Sequence, residues 1–173
     1  MAITRLIAME DAPLLAALLQ ANREFLAPWE PVRSPAYFTA EGQRRGIDEA
    51  LALYGRNVGL PHVILDEGRI VGRVTLSNIV RGAFQSCNIG YWVGSAENGR
   101  GLATNAVGEV MRVAFRELGL HRIEAGTLPA NIASQRVLER NGFVRFGLAP
   151  AYLNIAGVWQ DHVMYQALNA NSA

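Results

Sequence analysis

The decapeptide ENGRGLATNA, residues 97–106, places two glycines one residue apart just before a helical pattern. A helix N-terminus carries about four backbone N–H groups without a partner and the positive end of the helix dipole. Gly99 and Gly101 lack a Cβ atom and let the backbone turn tightly and approach a ligand. The pattern therefore predicts an anion site suited to phosphate, with an ordinary strand-to-helix turn as the alternative. We expect the amides from Gly99 to Thr104 to be the donors, with Arg100 adding charge or pointing to solvent.

The type of phosphate ligand is narrowed by two known fingerprints. The P-loop pattern, which needs Gly-Lys-Ser/Thr after a first glycine and four residues, does not occur in the sequence. The dinucleotide fingerprint G-x-G-x-x-G/A begins at Gly99 and Gly101, but its third position is Thr104. Glu124 does lie near the distance at which a ribose-binding acid is expected. Because several strands of antiparallel character precede the turn, dinucleotide binding is the second interpretation.

The elements that position this turn follow from hydrophobic periodicity. We expect a strand in AITRLIA, a helix over 10–22 and a helix over 36–54. The leucines of the first helix at positions 14, 15, 18 and 19 are expected to share its apolar stripe. A hairpin turn is expected at Asp66-Glu67-Gly68, and a strand is expected over 86–93. These elements are followed by a helix over 99–118, a strand in HRIEAGTL, a helix over 131–140 and two strands around 154–157. This order predicts an α/β fold with a mixed sheet and a single domain over residues 1–173.

The composition limits the class of function. Half of the residues are hydrophobic and the net charge is +1, so nothing in the overall charge predicts binding to nucleic acid or to an anionic membrane. The N-terminal residues lack the pattern of a signal peptide, and we expect a cytoplasmic protein. Cys87 is expected to be a buried apolar residue rather than a nucleophile. The histidines show no ligand spacing with it, so no metal is expected.

ENGRGLATNA followed by HRIEAGTLPANIASQRVLERNGF resembles the acetyl-CoA-binding core of the GNAT acyltransferase superfamily. More narrowly, it resembles the RimJ/RimL-type branch, the ribosomal-protein-alanine N-acetyltransferases and their relatives, over almost the whole chain. The family pattern R/Q-x-x-G-x-G/A falls on Asn98, Gly101 and Ala103. Asn98 departs from the usual Gln or Arg, but the backbone amides that hold the pyrophosphate remain. The resemblance implies a GNAT acyl-CoA N-acyltransferase fold, with a mixed, mostly antiparallel sheet, splayed central strands and flanking helices.

The resemblance also implies acetyl-CoA as co-substrate. The pantetheine arm is then expected in a gap beside the strand that ends at Val93, against backbone groups near Trp92 and Val93. Arg136 and Arg140 are candidates to meet the adenosine 3′-phosphate, with a solvated helix face as the alternative. The expected cofactor-binding residues are Trp92, Val93, Asn98, Gly99, Arg100, Gly101, Leu102, Ala103, Thr104, Asn131, Ser134, Arg136 and Arg140.

In this family an amine attacks the thioester directly. The site then needs a deprotonated amine, a donor for the carbonyl oxygen and an acid for the departing thiolate. The resemblance makes the N–H of Val93 the donor and Ser134 the acid. Many relatives use as the acid a tyrosine that lies seven residues after the position of Asn131. In this sequence that residue is Leu138, so this acid is not available. Asn131 is expected to cap the last helix and to bond the pantetheine arm.

The general base stays open between Glu124, on the strand before the last helix, and Glu30, in a loop that borders the acceptor pocket in relatives. For each, an ordinary solvated or ion-paired carboxylate is the alternative. Glu30 is also expected to attract the ammonium form of the acceptor, and Trp29 to form a pocket wall. Asp161 and His162 are adjacent on a strand and point to opposite faces, so they cannot act as an acid–base pair in one cleft.

The sequence therefore predicts an acetyl-CoA-dependent N-acetyltransferase that moves an acetyl group to a primary amine in a ternary complex. The favoured acceptor is the α-amine of a protein N-terminus, and a small amine or amino-acid-like molecule is the alternative. A non-catalytic acyl-CoA-binding module and a dinucleotide oxidoreductase are the alternatives from other classes. A homodimer is expected from relatives alone, and neither nucleic acid nor a membrane is expected as a partner.

Overall fold

The computed structural model describes residues 3–170. Within them, seven strands form one sheet in the order β1-β2-β3-β4-β5-β7-β6. The strands are β1 (Thr4–Leu6), β2 (Leu60–Asp66), β3 (Arg69–Val80), β4 (Ser86–Val93), β5 (Arg122–Thr127), β6 (Val144–Ile155) and β7 (Val158–Leu168). The helices are α1 (Ala12–Ala21), α2 (Arg23–Leu26), α3 (Ala40–Gly55), α4 (Leu102–Arg112) and α5 (Ile132–Arg140). A π-helical turn, Val113–Glu117, continues α4.

The centre of the sheet is parted. β4 and β5 are parallel, whereas the other neighbouring strands of the described chain pair antiparallel. The parallel pair is joined only where Ser86–Asn88 lie beside Arg122–Glu124. Beyond these positions β4 continues to Val93 and β5 to Thr127, so a gap opens between them. The predicted mixed, mostly antiparallel sheet with splayed central strands is confirmed.

Both faces of the sheet are covered by helices. The helices α4 and α5 cover one face, where Val107 and Leu138 pack in a core with Ile64. The helices α1 and α3 cover the other face, where Leu15 and Ile47 are fully buried. Full burial of each such side chain stabilises the fold by about 1.5–3 kcal/mol. The helices thus hold the strands on each side of the gap in place.

The predicted elements are confirmed in type and order. The strand over 86–93 has the expected bounds, and β2 and β3 are joined by the hairpin at Asp66-Glu67-Gly68. The prediction that Leu14 belongs to the buried stripe of α1 is wrong, because its side chain is 62% exposed. Of the predicted leucines, Leu15 and Leu19 are the ones fully buried in the core. Within residues 3–170 no helix combines the length and the apolar character needed to cross a membrane.

Candidate active site

The glycine turn before α4 has free backbone donors. Gly99 and Gly101 both have a φ of +77°, a left-handed conformation that glycine adopts without steric cost. Gly101 caps α4, and the first backbone hydrogen bond of the helix runs from Asn105 N to Gly101 O, at 3.0 Å. The amides of the first three helical residues, which start at Leu102, therefore have no acceptor inside the helix. This is the anion-binding geometry that the sequence predicts.

A depression of about 270 Å³ lies over this helix end, and we call it the turn cavity. Its wall includes the glycines at 99 and 101, the first turn of α4, and two arginines of α5, Arg136 and Arg140. The α5 helix is held there by Asn141, whose side-chain amide donates to Thr104 O at 3.0 Å. Glu97 also lines the cavity, but its carboxylate is paired with Arg100, so the helix dipole and the two guanidinium groups make the turn cavity electropositive.

Arg100 has a different partner. Its guanidinium forms ion pairs with Asp66, at 2.8 Å, and with Glu97. Arg100 is not among the described residues that line the turn cavity. Arg100 therefore ties the turn to the end of β2, whereas the free charge at this cavity comes from Arg136 and Arg140.

A groove leads from the turn cavity into the gap of the sheet. A cavity of about 220 Å³ shares Val93, Asn98 and Ala103 with the turn cavity. At its other end the same cavity reaches Trp92, Asn131 and Ser134. The last three also line a cavity of about 460 Å³ between β4 and β5, the gap cavity. The groove has room for a phosphate-headed ligand with a long, narrow arm that ends in the gap.

The N–H of Val93 points into the gap. Gly94 N donates to Val71 O at 2.9 Å across the pair of β3 and β4. Because hydrogen-bonded positions alternate along an antiparallel pair, the N–H of the preceding residue, Val93, is directed away from β3 and toward β5. The amide of Val93 is therefore available to a carbonyl oxygen in the gap.

Ser134 is held by contacts on both sides. Asn131 is the N-cap of α5, and its side-chain oxygen accepts a hydrogen bond from Ser134 N at 3.1 Å. The Tyr91 hydroxyl lies 2.9 Å from Ser134 Oγ and donates to Ser134 O at 3.0 Å. Burial raises the pKa of Tyr91 to about 12, so its hydroxyl keeps its proton at neutral pH.

Tyr91 was missed in the sequence because it lies among other strand residues with no motif of its own. Strand alternation offers the one available signal. Trp92 packs toward α1, against the core of Leu15 and Ile47, and Tyr91 must then face α5.

The two carboxylates considered as the base lie in different places. Glu30 lines the gap cavity, as Trp29 does, and its carboxylate is 3.6 Å from Arg33 Nε. Glu124 lies where β4 and β5 are still paired, and its carboxylate is 3.4 Å from Arg122 Nη1. Among the described residues of the gap cavity wall, Glu124 is not present. The structure thus brings Glu30, but not Glu124, to the gap.

Asp161 and His162 lie on opposite faces of their strand and Cys87 lies in the core, as the sequence predicts. Asp161 is exposed and accepts from Ala151 N, whereas His162 is buried and lines the gap cavity, so the two point to opposite faces. Cys87 is 2% exposed, and burial raises the pKa of its thiol to about 12. Within residues 3–170 no three His, Cys, Asp or Glu side chains are grouped closely enough to hold a metal ion.

These features define a class of protein, the acyltransferases. The sheet is mixed and parted, and a groove runs from free amides at one end to a serine at the other. The domain family described as "Acetyltransferase (GNAT) domain" matches residues 3–144. The chain therefore belongs to the GNAT acetyltransferase family, in its RimJ/RimL-type branch, and is an N-acetyltransferase.

Known proteins resemble the chain along nearly its full length. "Probable N-acetyltransferase YjcK" of Bacillus subtilis (strain 168) is 40% identical, covering 95% of this chain and 92% of its own. "[Ribosomal protein uS5]-alanine N-acetyltransferase" of Escherichia coli (strain K12) is 37% identical, covering 94% and 84%. The structure of Mycobacterium smegmatis RimJ in complex with CoA-disulfide is 33% identical, with a TM-score of 0.93, covering 95% and 80%.

Proposed function

We propose that this chain uses acetyl-CoA to acetylate the α-amine of a protein N-terminus. One observation carries the proposal: a continuous groove joins the free amides of α4 to Ser134 and the N–H of Val93 in the gap. The Escherichia coli relative is named as an N-acetyltransferase for an alanine of ribosomal protein uS5, and the Mycobacterium smegmatis relative was solved with a CoA-disulfide. We infer an acceptor of the same chemical class for this chain.

The residues of the groove fit the parts of coenzyme A. The amides from Gly99 to Thr104 would hold the pyrophosphate, with Gly101 at the helix cap. Arg136 and Arg140, which line the turn cavity, would bind the 3′-phosphate. The narrow middle of the groove, beside Val93, would take the pantetheine arm. When bound, acetyl-CoA supplies an acetyl group activated as a thioester.

Each chemical task has a residue in the gap. The Val93 N–H stabilises negative charge that develops on the thioester oxygen. Ser134 gives its hydroxyl proton to the sulfur as the carbon–sulfur bond breaks and the carbon–nitrogen bond forms. The Tyr91 hydroxyl positions Ser134 Oγ and can donate a hydrogen bond to the oxygen that remains. Asn131 fixes the start of α5 and so the place of Ser134.

Glu30 is the base that we propose. Its carboxylate lies on the wall of the gap cavity and accepts the amine proton directly or through water. The negative charge also attracts the ammonium form of the acceptor, beside the exposed ring of Trp29. Glu124 is assigned no part in proton transfer because its carboxylate lies outside the cavity, next to Arg122.

A panel of acceptors tests the proposal. Thiol release from acetyl-CoA would be measured with N-terminal peptides, with the same peptides blocked at the α-amine, and with small amines. We expect turnover only with free α-amines of peptides. We also expect Ser134→Ala to lower turnover by at least about tenfold, which is about 1.4 kcal/mol of transition-state free energy, while acetyl-CoA affinity stays nearly unchanged. Turnover restricted to small amines would refute the protein acceptor, and an unchanged rate would remove Ser134 from the mechanism.

Binding itself separates the enzyme from the other classes. Acetyl-CoA at 100 times its Kd stabilises a folded protein by about 2.7 kcal/mol, and NAD at the same concentration should not. A thermal shift with NAD but not with acetyl-CoA would refute the assignment of the groove to coenzyme A. A shift with acetyl-CoA but no turnover with any peptide would refute the proposed acceptor.

A further inference from the structure

Arg73 is a charged residue of the gap cavity for which the catalytic steps have no use. It lies in the middle of β3, opposite Trp92 of β4, and lines the gap cavity. Its Nε is buried and has no hydrogen-bond partner. Within residues 3–170, no hydrogen bond or ion pair joins the guanidinium to another residue. Arg73 is partly exposed and opens onto the gap cavity, where a ligand can supply the hydrogen-bond partner that the described residues do not.

The neighbouring side chains do not neutralise Arg73. Burial lowers its pKa; the nearby Tyr37 raises it and Arg33 lowers it. An arginine nevertheless stays protonated at neutral pH. Burial raises the pKa of Tyr37 above its usual value, so this phenol is neutral and cannot serve as the counter-charge.

The charges on the wall of the gap cavity do not balance. Glu30 is the one carboxylate among the described residues of this wall, and it already lies 3.6 Å from Arg33. The Arg33 guanidinium also stacks on the Tyr37 ring, 4.6 Å from its centroid. Two guanidinium groups therefore face one carboxylate, and the surplus positive charge belongs to Arg73. An acceptor that brought only an ammonium group could interact with Glu30 but would leave the Arg73 charge without a partner.

We propose that Arg73 binds a carboxylate of the acceptor, namely an acidic side chain close to the N-terminal α-amine. The planar guanidinium can donate two parallel hydrogen bonds to a carboxylate, which gives both strength and orientation. Arg73 is paired with Trp92, which directly precedes Val93, and adjacent strands lie about 4.8 Å apart. An extended peptide advances about 3.4 Å per residue, so the carboxylate belongs to one of the first few residues. This inference rests on the proposed function.

The test compares matched peptides in the intact enzyme. Hexapeptides that begin with alanine would carry Glu, Gln or Lys at position two, three or four, and kcat/KM would be measured by thiol release. Free amino acids and their amides form a separate arm, because an α-carboxylate offers the same chemistry as an acidic side chain. The variants are Arg73→Gln, Arg73→Lys and the control Arg44→Gln, which removes an exposed arginine of α3.

At the best position we expect the wild type to prefer Glu over Gln by at least about tenfold, mainly through KM, which corresponds to about 1.4 kcal/mol. Arg73→Gln should reduce this ratio to about one, Arg73→Lys should keep part of it, and Arg44→Gln should leave it unchanged. A thermal shift with acetyl-CoA checks that each variant folds. Arg73→Gln removes a partly buried charge that no described residue pairs with, so we expect no loss of its unfolding temperature.

The outcomes separate the two proposals. If neutral peptides are acetylated as well as acidic ones, or if Arg73→Gln keeps the preference, the Arg73 inference is overturned and the proposed function stands. If free amino acids but neither their amides nor any peptide are acetylated, Arg73 binds an α-carboxylate and the protein acceptor is refuted. If only amines without a carboxylate react, both proposals are overturned.

Discussion

Removing the Tyr91 hydroxyl tests how Ser134 is held. In Tyr91→Phe a single oxygen is lost, which lies 2.9 Å from Ser134 Oγ and 3.0 Å from Ser134 O. The hydroxyl has one proton and can donate only one of these bonds at a time. A net hydrogen bond is worth about 1 kcal/mol, and its loss with one weaker contact should lower the free energy of unfolding by about 1–2 kcal/mol. For a chain of this size that corresponds to roughly 2–8 °C in Tm.

The kinetic effect should be specific to kcat. Without Tyr91, the Ser134 hydroxyl can rotate away from the sulfur, and the oxygen that remains after proton transfer loses a hydrogen bond. We expect kcat to fall about tenfold, or about 1.4 kcal/mol in the barrier, with acetyl-CoA affinity unchanged. Tyr165→Phe is the matched control, because Tyr165 packs in the same core as Tyr91 and its hydroxyl donates to Glu139 at 3.3 Å. That control should lose stability without losing turnover.

A double-mutant cycle decides whether the two hydroxyls act together. If Tyr91 acts through Ser134, the variant Tyr91→Phe should have little further effect on kcat in a Ser134→Ala background, so the two effects should not add. Stopped-flow or steady-state thiol release with the best peptide gives the four rates. Additive effects, or a wild-type kcat in Tyr91→Phe, would refute the positioning role of Tyr91.

Two further predictions concern the turn before α4 and the N-terminal ion pair. Gly101→Val places a β-branched residue at a φ of +77° beside the free amides, so acetyl-CoA binding measured by calorimetry should weaken at least tenfold. Gly119→Val is the control, because Gly119 also has a positive φ but lies at the other end of this helical segment. The control variant should have a lower Tm without this loss of affinity. The hydrogen bond from Arg5 holds the pKa of Asp11 below its usual range, although burial opposes it. As the pH falls, Asp11 therefore takes up a proton in the unfolded chain at a pH where it is still charged in the folded protein, which destabilises the fold. The Tm of the wild type should fall more steeply than that of Asp11→Asn as the pH drops below about 4. Parallel curves for the two proteins would contradict the role of this pair.

Local patterns were sufficient for the elements and for the glycine turn before α4. The periodicity of residues 86–93 and the Asp66-Glu67-Gly68 turn depend on neighbours in the chain, and the structure confirms both. The same is true of the Asn131 cap, whose bond spans three residues. Gly101 was identifiable because a left-handed helix cap needs a particular residue type at a particular position.

Contacts between distant segments were decided only by the tertiary structure. Whether Glu124 reaches the gap depends on where the β4–β5 pairing stops, and nothing local to Glu124 specifies that point. Tyr91 meets Ser134 across 43 positions of sequence, because β4 and α5 pack together only in the folded chain. Arg73 has an ordinary place in a strand pattern, and its missing partner becomes visible only when every neighbouring side chain is in place. The sequence by itself thus determined the local chemistry and the family, whereas packing over long separations decided which groups share the gap.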